Sequence, residues 1–180
     1  MTEIASPGQL RWAFVRLAIV TVPLVLALGG LSNQFDAAWY AALAKPALTP
    51  PPITFGIVWP VLYVLMGLAL AMVWHARGNP WRRLAVILFA VQLLLNMAWS
   101  PLFFGFHQIA ASLGLIVLLL AAVAWTAVLF SRVRSWAGLL LLPYLAWLCF
   151  ALYLNHGFWR LNPEGAAVAV MAAPVDVPLQ

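Results

Sequence analysis

Gln92-Leu93-Leu94-Leu95-Asn96-Met97-Ala98-Trp99-Ser100-Pro101 decides how this chain is read. Two amides and an indole sit inside a long apolar run. At i, i+4 and i+7, Gln92, Asn96 and Trp99 share one face of a helix, and Phe103 continues the stripe. Hydrocarbon offers an amide no hydrogen bond, so this face predicts contact with protein or with a ligand cavity. Spacing alone leaves two readings open. The amides either bond neighbouring helices or line a binding site.

The rest of the chain supports a membrane setting. Of its 180 residues, 66% are hydrophobic and only 7% charged, with mean hydropathy +1.02. A soluble domain of this size needs more charge to cover its surface. The net charge of +5 comes from basic residues scattered at the ends of apolar segments, which argues against nucleic-acid binding. A single cysteine, Cys149, excludes an internal disulfide and a cysteine-based metal site.

Five segments have the roughly 20 apolar residues that a spanning helix needs. They run over 12–31, 54–74, 81–104, 108–130 and 136–159. The expected fold is therefore an all-α membrane protein, a five-transmembrane-helix bundle. One domain is expected over 1–161, with a disordered tail over 162–180. The first segment resembles a signal peptide in its basic start, but its apolar run is long. Gly29-Gly30-Leu31-Ser32 is also a poor cleavage site, so it reads as a span. Pro23, Pro60, Pro101 and Pro143 fall within four of the segments, and each can kink its helix and free a carbonyl.

The long connection, 32–53, holds Trp39-Tyr40, Lys45-Pro46 and Pro50-Pro51-Pro52, and its composition predicts a stiff, extended path. Short turns over 75–80, 105–107 and 131–135 predict antiparallel neighbours. Arg11, Arg16, Arg77, Arg82, Arg83, Arg132 and Arg134 then lie at one end, and Lys45 and Arg160 at the other. This imbalance predicts a cytoplasmic N-terminus, with the long loop and the C-terminus on the opposite side. Ten tryptophans need an explanation. Trp12, Trp74, Trp81, Trp136 and Trp159 suit an interfacial belt. Trp59, Trp99, Trp125 and Trp147 lie too deep for one, and Trp39 falls in the loop.

No span centre carries Asp, Glu, Lys or Arg, which argues against a proton-coupled pump or a charged-ion pathway. There is no carboxylate pair and no phosphate loop, and no serine has a nearby base, so no catalytic residue is nominated. His75, His107 and His156 lie at segment ends without metal-ligand spacing, and no metal site is expected. In the fifth segment Tyr144, Trp147, Ala151 and Asn155 again share one face. Two aromatic and amide faces can meet around a flat apolar ligand, with rings stacking and a few polar groups orienting it. A cholesterol-recognition pattern at Leu148 and Tyr153 fails narrowly, because six residues separate Tyr153 from Arg160.

These runs resemble the tryptophan-rich sensory protein family, which includes the mitochondrial translocator protein. The resemblance covers about 39–162. It is carried by Trp39-Tyr40, Lys45-Pro46, Thr49-Pro50-Pro51 and Trp59, then by the run from Asn96 to Gly105. Pro143-Tyr144-Leu145-Ala146-Trp147, Leu154-Asn155 and Arg160-Leu161-Asn162 complete it. It implies a five-helix bundle, often a homodimer in the lipid bilayer, with a pocket open toward the long loop. Its ligand would be a hydrophobic small molecule, above all a porphyrin such as protoporphyrin IX or haem, with no obligatory cofactor. Matched residue by residue, the pocket would use Tyr40, Trp59, Asn96, Trp99, Tyr144, Trp147 and Asn155, to which the stripe adds Gln92. Leu48 stands where many members have an aromatic residue, and His156 follows Leu154-Asn155 where a tyrosine completes the cholesterol pattern. These departures count against porphyrin degradation and cholesterol specificity.

The expected function is thus ligand binding with a transport or sensory and regulatory role. The alternatives are a light-dependent porphyrin-degrading enzyme and a ligand-free membrane scaffold packing through Ala110 and Gly114.

Overall fold

Backbone amides inside a bilayer find no water, and helices satisfy them within one segment. The apolar runs are helical accordingly. The computed structural model describes residues 7–31 and 35–163. The order is α1 Pro7–Leu31, α2 Ala37–Ala42, α3 Pro52–His75, α4 Arg82–Ser100, α5 Ile109–Val133, α6 Ser135–Leu139 and α7 Leu142–Leu161. A five-residue π-helical turn, Pro101–Gly105, extends α4.

The described residues are thus helical with short connections, without strands. Four stretches are long and apolar enough to cross a membrane: Pro52–His75, Arg82–Gly105, Ile109–Val133 and Ser135–Leu161. α1 carries a shorter apolar stretch, Phe14–Leu28. The described helices form the expected all-α membrane bundle; four of the five expected spans reach spanning length, and the first, 12–31, corresponds to the shorter apolar stretch in α1.

Two prolines act differently from simple kinks. Pro143 sits in the first turn of α7, where its missing N–H costs no helical bond. It therefore starts α7 after the break at Leu140 and Leu141 rather than bending a continuous span. Pro101 cannot donate to the turn before it, and the backbone answers by widening: Phe106 N–H reaches Pro101 O at 2.8 Å, five residues back. The turn expected over 131–135 is also shorter than its sequence suggests, because α5 continues to Val133.

α1 and α3 pack antiparallel and close. Thr21 Oγ1 reaches Leu17 O at 3.0 Å and Gly67 O at 2.8 Å. Gly67 permits the approach, since a Cβ there would lie 2.6 Å from Val22 Cα. α4 and α5 are joined by stacked Phe89 and Phe130, with centroids 5.7 Å apart. α5 packs on α7 through Asn155, whose Nδ2 donates to Ser112 Oγ at 3.1 Å, while Ser112 Oγ lies 3.0 Å from Asn155 Oδ1. One buried cluster, including Val25, Met66, Phe89, Val123 and Tyr144, runs through these helices.

The turns separate into two ends. At one, Asn79 Nδ2 donates to Arg132 O at 3.4 Å, joining the α3–α4 and α5–α6 connections. At the other, Asn162 Nδ2 donates to Ala44 O and Asn162 Oδ1 accepts from Ala44 N–H, both at 3.0 Å. Asn162, the first residue of the expected tail, is therefore anchored, and 164–180 lie outside the described residues.

Gly67→Ala should lower stability by about 1–3 kcal/mol by overpacking α1 against α3. Gly114→Ala, with nothing within 4 Å of the added Cβ, should leave it unchanged. Thermal unfolding in detergent, followed by circular dichroism, compares the two.

Candidate ligand-binding site

An amide held in apolar surroundings takes whatever polar partners the neighbouring helices offer. Asn96, 5% exposed on α4, takes two. Its Oδ1 accepts from Tyr63 Oη on α3 at 3.0 Å, and its Nδ2 donates to Tyr144 Oη on α7 at 2.9 Å. Three helices meet at one side chain. Trp59 stacks on Tyr63, with centroids 5.4 Å apart, and presents its edge to Tyr144 at 6.3 Å.

This junction borders a cavity of about 520 Å³. α3 contributes Pro52, Phe55, Gly56, Trp59, Pro60 and Tyr63. α4 and the π turn contribute Asn96, Trp99, Ser100 and Phe104, while Leu26, Phe35 and Tyr40 close the remaining side. Pro60 cannot donate to the carbonyl of Gly56, which leaves a backbone acceptor in the same wall. The π turn lets Trp99 stack on Phe103 at 5.1 Å and meet Phe104 edge-on at 5.9 Å. Trp99 Nε1 is buried and has no hydrogen-bond partner in the protein.

The loop over the cavity is not a plain extended connection. Asp36 caps α2, its Oδ1 accepting from Trp39 N–H at 2.9 Å. Trp39, expected in a loop, is helical and 4% exposed. It lies stacked on His107 at 4.4 Å and edge-on to Phe103 at 5.5 Å. His107 takes positive φ, 56°, and its Nε2 lies 3.3 Å from Asp36 Oδ2. That is within Coulomb reach but lacks the angle of a hydrogen bond. α2 is thereby fixed to the α4–α5 turn. Tyr40 faces the cavity, with burial pushing its hydroxyl pKa up and Lys45 Nζ 5.1 Å from its ring centre. Gly157 admits Pro46, whose Cγ would lie 2.6 Å from an added Cβ.

The eight expected site residues therefore separate. Tyr40, Trp59, Asn96 and Trp99 line the cavity. Tyr144 stands behind it, bonded to Asn96, and Trp147 stands behind Phe55 with centroids 5.7 Å apart. Asn155 lies elsewhere: it joins α7 to α5 through Ser112 and donates to Ile109 O at 3.4 Å. Gln92, 1% exposed, is buried away from the lining, and neither its Oε1 nor its Nε2 has a partner. Leu48 is 62% exposed and outside the lining. None of the three histidines lines the cavity either, so no imidazole is placed to ligate a haem iron there.

Sequence reasoning missed Tyr63, Phe55, Phe104 and Phe35. Tyr63 was within reach: Trp59 and Tyr63 are spaced i, i+4, with a hydroxyl deep in an apolar run. Phe55 precedes Trp59 by one turn on the same face. Phe104 depends on the π turn, which shifts facing by one residue and leaves no mark in the 3.6-residue period.

Tyr144→Phe removes one acceptor from Asn96 and should cost about 0.5–1.5 kcal/mol with the fold intact. Asn96→Leu strands two hydroxyls and should cost more, about 2–3 kcal/mol. Unfolding of the detergent-solubilised protein by denaturant measures both.

The chain is matched over residues 17–160 by the model of the TspO/MBR family. The tryptophan-rich protein TspO of Chlorobaculum tepidum is 43% identical over 79% of this chain and 93% of its own. The translocator protein of Sus scrofa is 42% identical, covering 81% and 90%. The tryptophan-rich sensory protein of Cereibacter sphaeroides is 38% identical, covering 72% and 82%. The chain belongs to the TspO/MBR family.

Proposed function

We propose that this TspO/MBR family membrane protein binds a flat hydrophobic ligand, a tetrapyrrole such as protoporphyrin IX, and acts as a carrier or sensor of it. The observation that carries the reading is the wall of the cavity. Trp59 and Trp99 supply broad π faces from two helices, and Asn96 and Ser100 supply polar groups beside them. About 520 Å³ lies within the ~300–1,000 Å³ usual for small-molecule sites. Apolar rings gain from burial and stacking there, and the few polar groups orient the ligand. Among the described residues, no acidic side chain lines the wall to repel an anionic substituent.

The same reading includes five crossings, with α1 as the first, and a cytoplasmic N-terminus. Its support is the charge imbalance: Arg77, Arg82, Arg83, Arg132 and Arg134 gather at the end away from the cavity loop. A homodimer would use the open α5 face at Ala110 and Gly114.

Titration of the purified protein with protoporphyrin IX, read in the porphyrin absorbance band, tests the site. Trp99→Leu and Asn96→Ala should each weaken binding about tenfold, from lost stacking and lost orientation. Asn155→Ala should stay within about twofold, its effect falling on stability. Unchanged affinity in the Trp99→Leu/Asn96→Ala double variant would place the ligand elsewhere.

A further inference from the structure

We infer that the end of the bundle opposite the cavity loop seats the phosphate of an anionic phospholipid between Arg82 and Arg132. Two connections meet there, held by Asn79 Nδ2 on Arg132 O at 3.4 Å. The Arg132 guanidinium lies over the Trp81 ring, 4.9 Å from its centre. Its neighbour in sequence, Arg82, is partly buried, and Arg82 Nε is shut off from solvent without an acceptor. A buried guanidinium N–H without a partner is costly, and a phosphate oxygen is the acceptor that suits a planar donor fork.

Among the described residues, no acid is placed to neutralise this end. Asp36, the acid among the described residues, lies at the opposite end beside His107. Arg77, Arg83 and Arg134 add further charge around the two turns, all exposed. Depth matches as well. Trp74, Trp81 and Trp136 are 43%, 41% and 72% exposed around the same turns, which places them at the headgroup level of a bilayer. The buried donor and the aromatic seat favour a bound headgroup over a diffuse basic surface, and the hydrocarbon around the helices makes its source a lipid.

The test uses the full chain in detergent with equimolar phosphatidylglycerol and phosphatidylcholine, with retained lipid counted by native mass spectrometry. Phosphatidylglycerol should be kept over phosphatidylcholine by about tenfold. Arg82→Gln/Arg132→Gln should reduce the preference to about twofold or less. Arg77→Gln/Arg134→Gln, an equal change in charge, should keep most of it. Arg82→Lys/Arg132→Lys retains charge but loses the planar fork and Nε, and should also lose most of the preference. Millimolar inorganic phosphate should leave the retained lipid unchanged. Absence of a preference in the wild type, equal losses in the two glutamine pairs, full retention by the lysine pair, or displacement by free phosphate would each overturn the site.

Discussion

Asn96 cannot face lipid, and the bundle is arranged around that prohibition. Its amide reaches a phenol on α3 and another on α7, so three helices are held at fixed distances by one side chain. Each bond is worth little in a membrane, about 0.6 kcal/mol on average, because the unfolded chain also finds partners there. Their effect is geometric. The hydroxyls fix where Tyr63 and Tyr144 stand, and Trp59 packs against both rings.

The cavity follows from this junction. α3 and α4 meet at Asn96 and leave space beside it, with Trp59 on one side and Trp99 on the other. Two prolines shape that space. Pro60 frees a carbonyl in the α3 wall, and Pro101 forces the π turn that brings Phe104 into the lining. α2 covers the remaining side, tied down by the Asp36 cap, the Trp39 stack on His107 and the Asn162 clasp on Ala44. α2 is thus a cover held by a few bonds at its ends over a largely apolar chamber.

Much of this was legible in the sequence, for physical reasons. Long apolar runs can only be helices in lipid, and an amide at i, i+4 from another must find protein or ligand. Asn96 links three helices, the first reading left open by its spacing, and it also borders a cavity. Periodicity shows which residues share a face, but not which neighbour that face meets. Asn155 shares a face with Tyr144, yet meets Ser112 near the far end of α7. Gln92 shares the Asn96 face one turn earlier and meets neither a polar partner nor the cavity. Trp39 looked like a loop residue because α2 is six residues long, too short for a period to register. The π turn and the late start of α7 depend on how a proline is accommodated, which its position alone does not dictate.

The most direct measurement is the nitrogen–proton spectrum of the ten indole groups during titration with protoporphyrin IX, assigned by single substitutions. A ligand between the α3 and α4 walls moves the Trp59 and Trp99 signals strongly through its ring current. Trp125 and Trp136, 65% and 72% exposed on outer faces, should hold still. Saturable shifts confined to those outer indoles, with Trp59 and Trp99 unmoved, would contradict the cavity as the binding site.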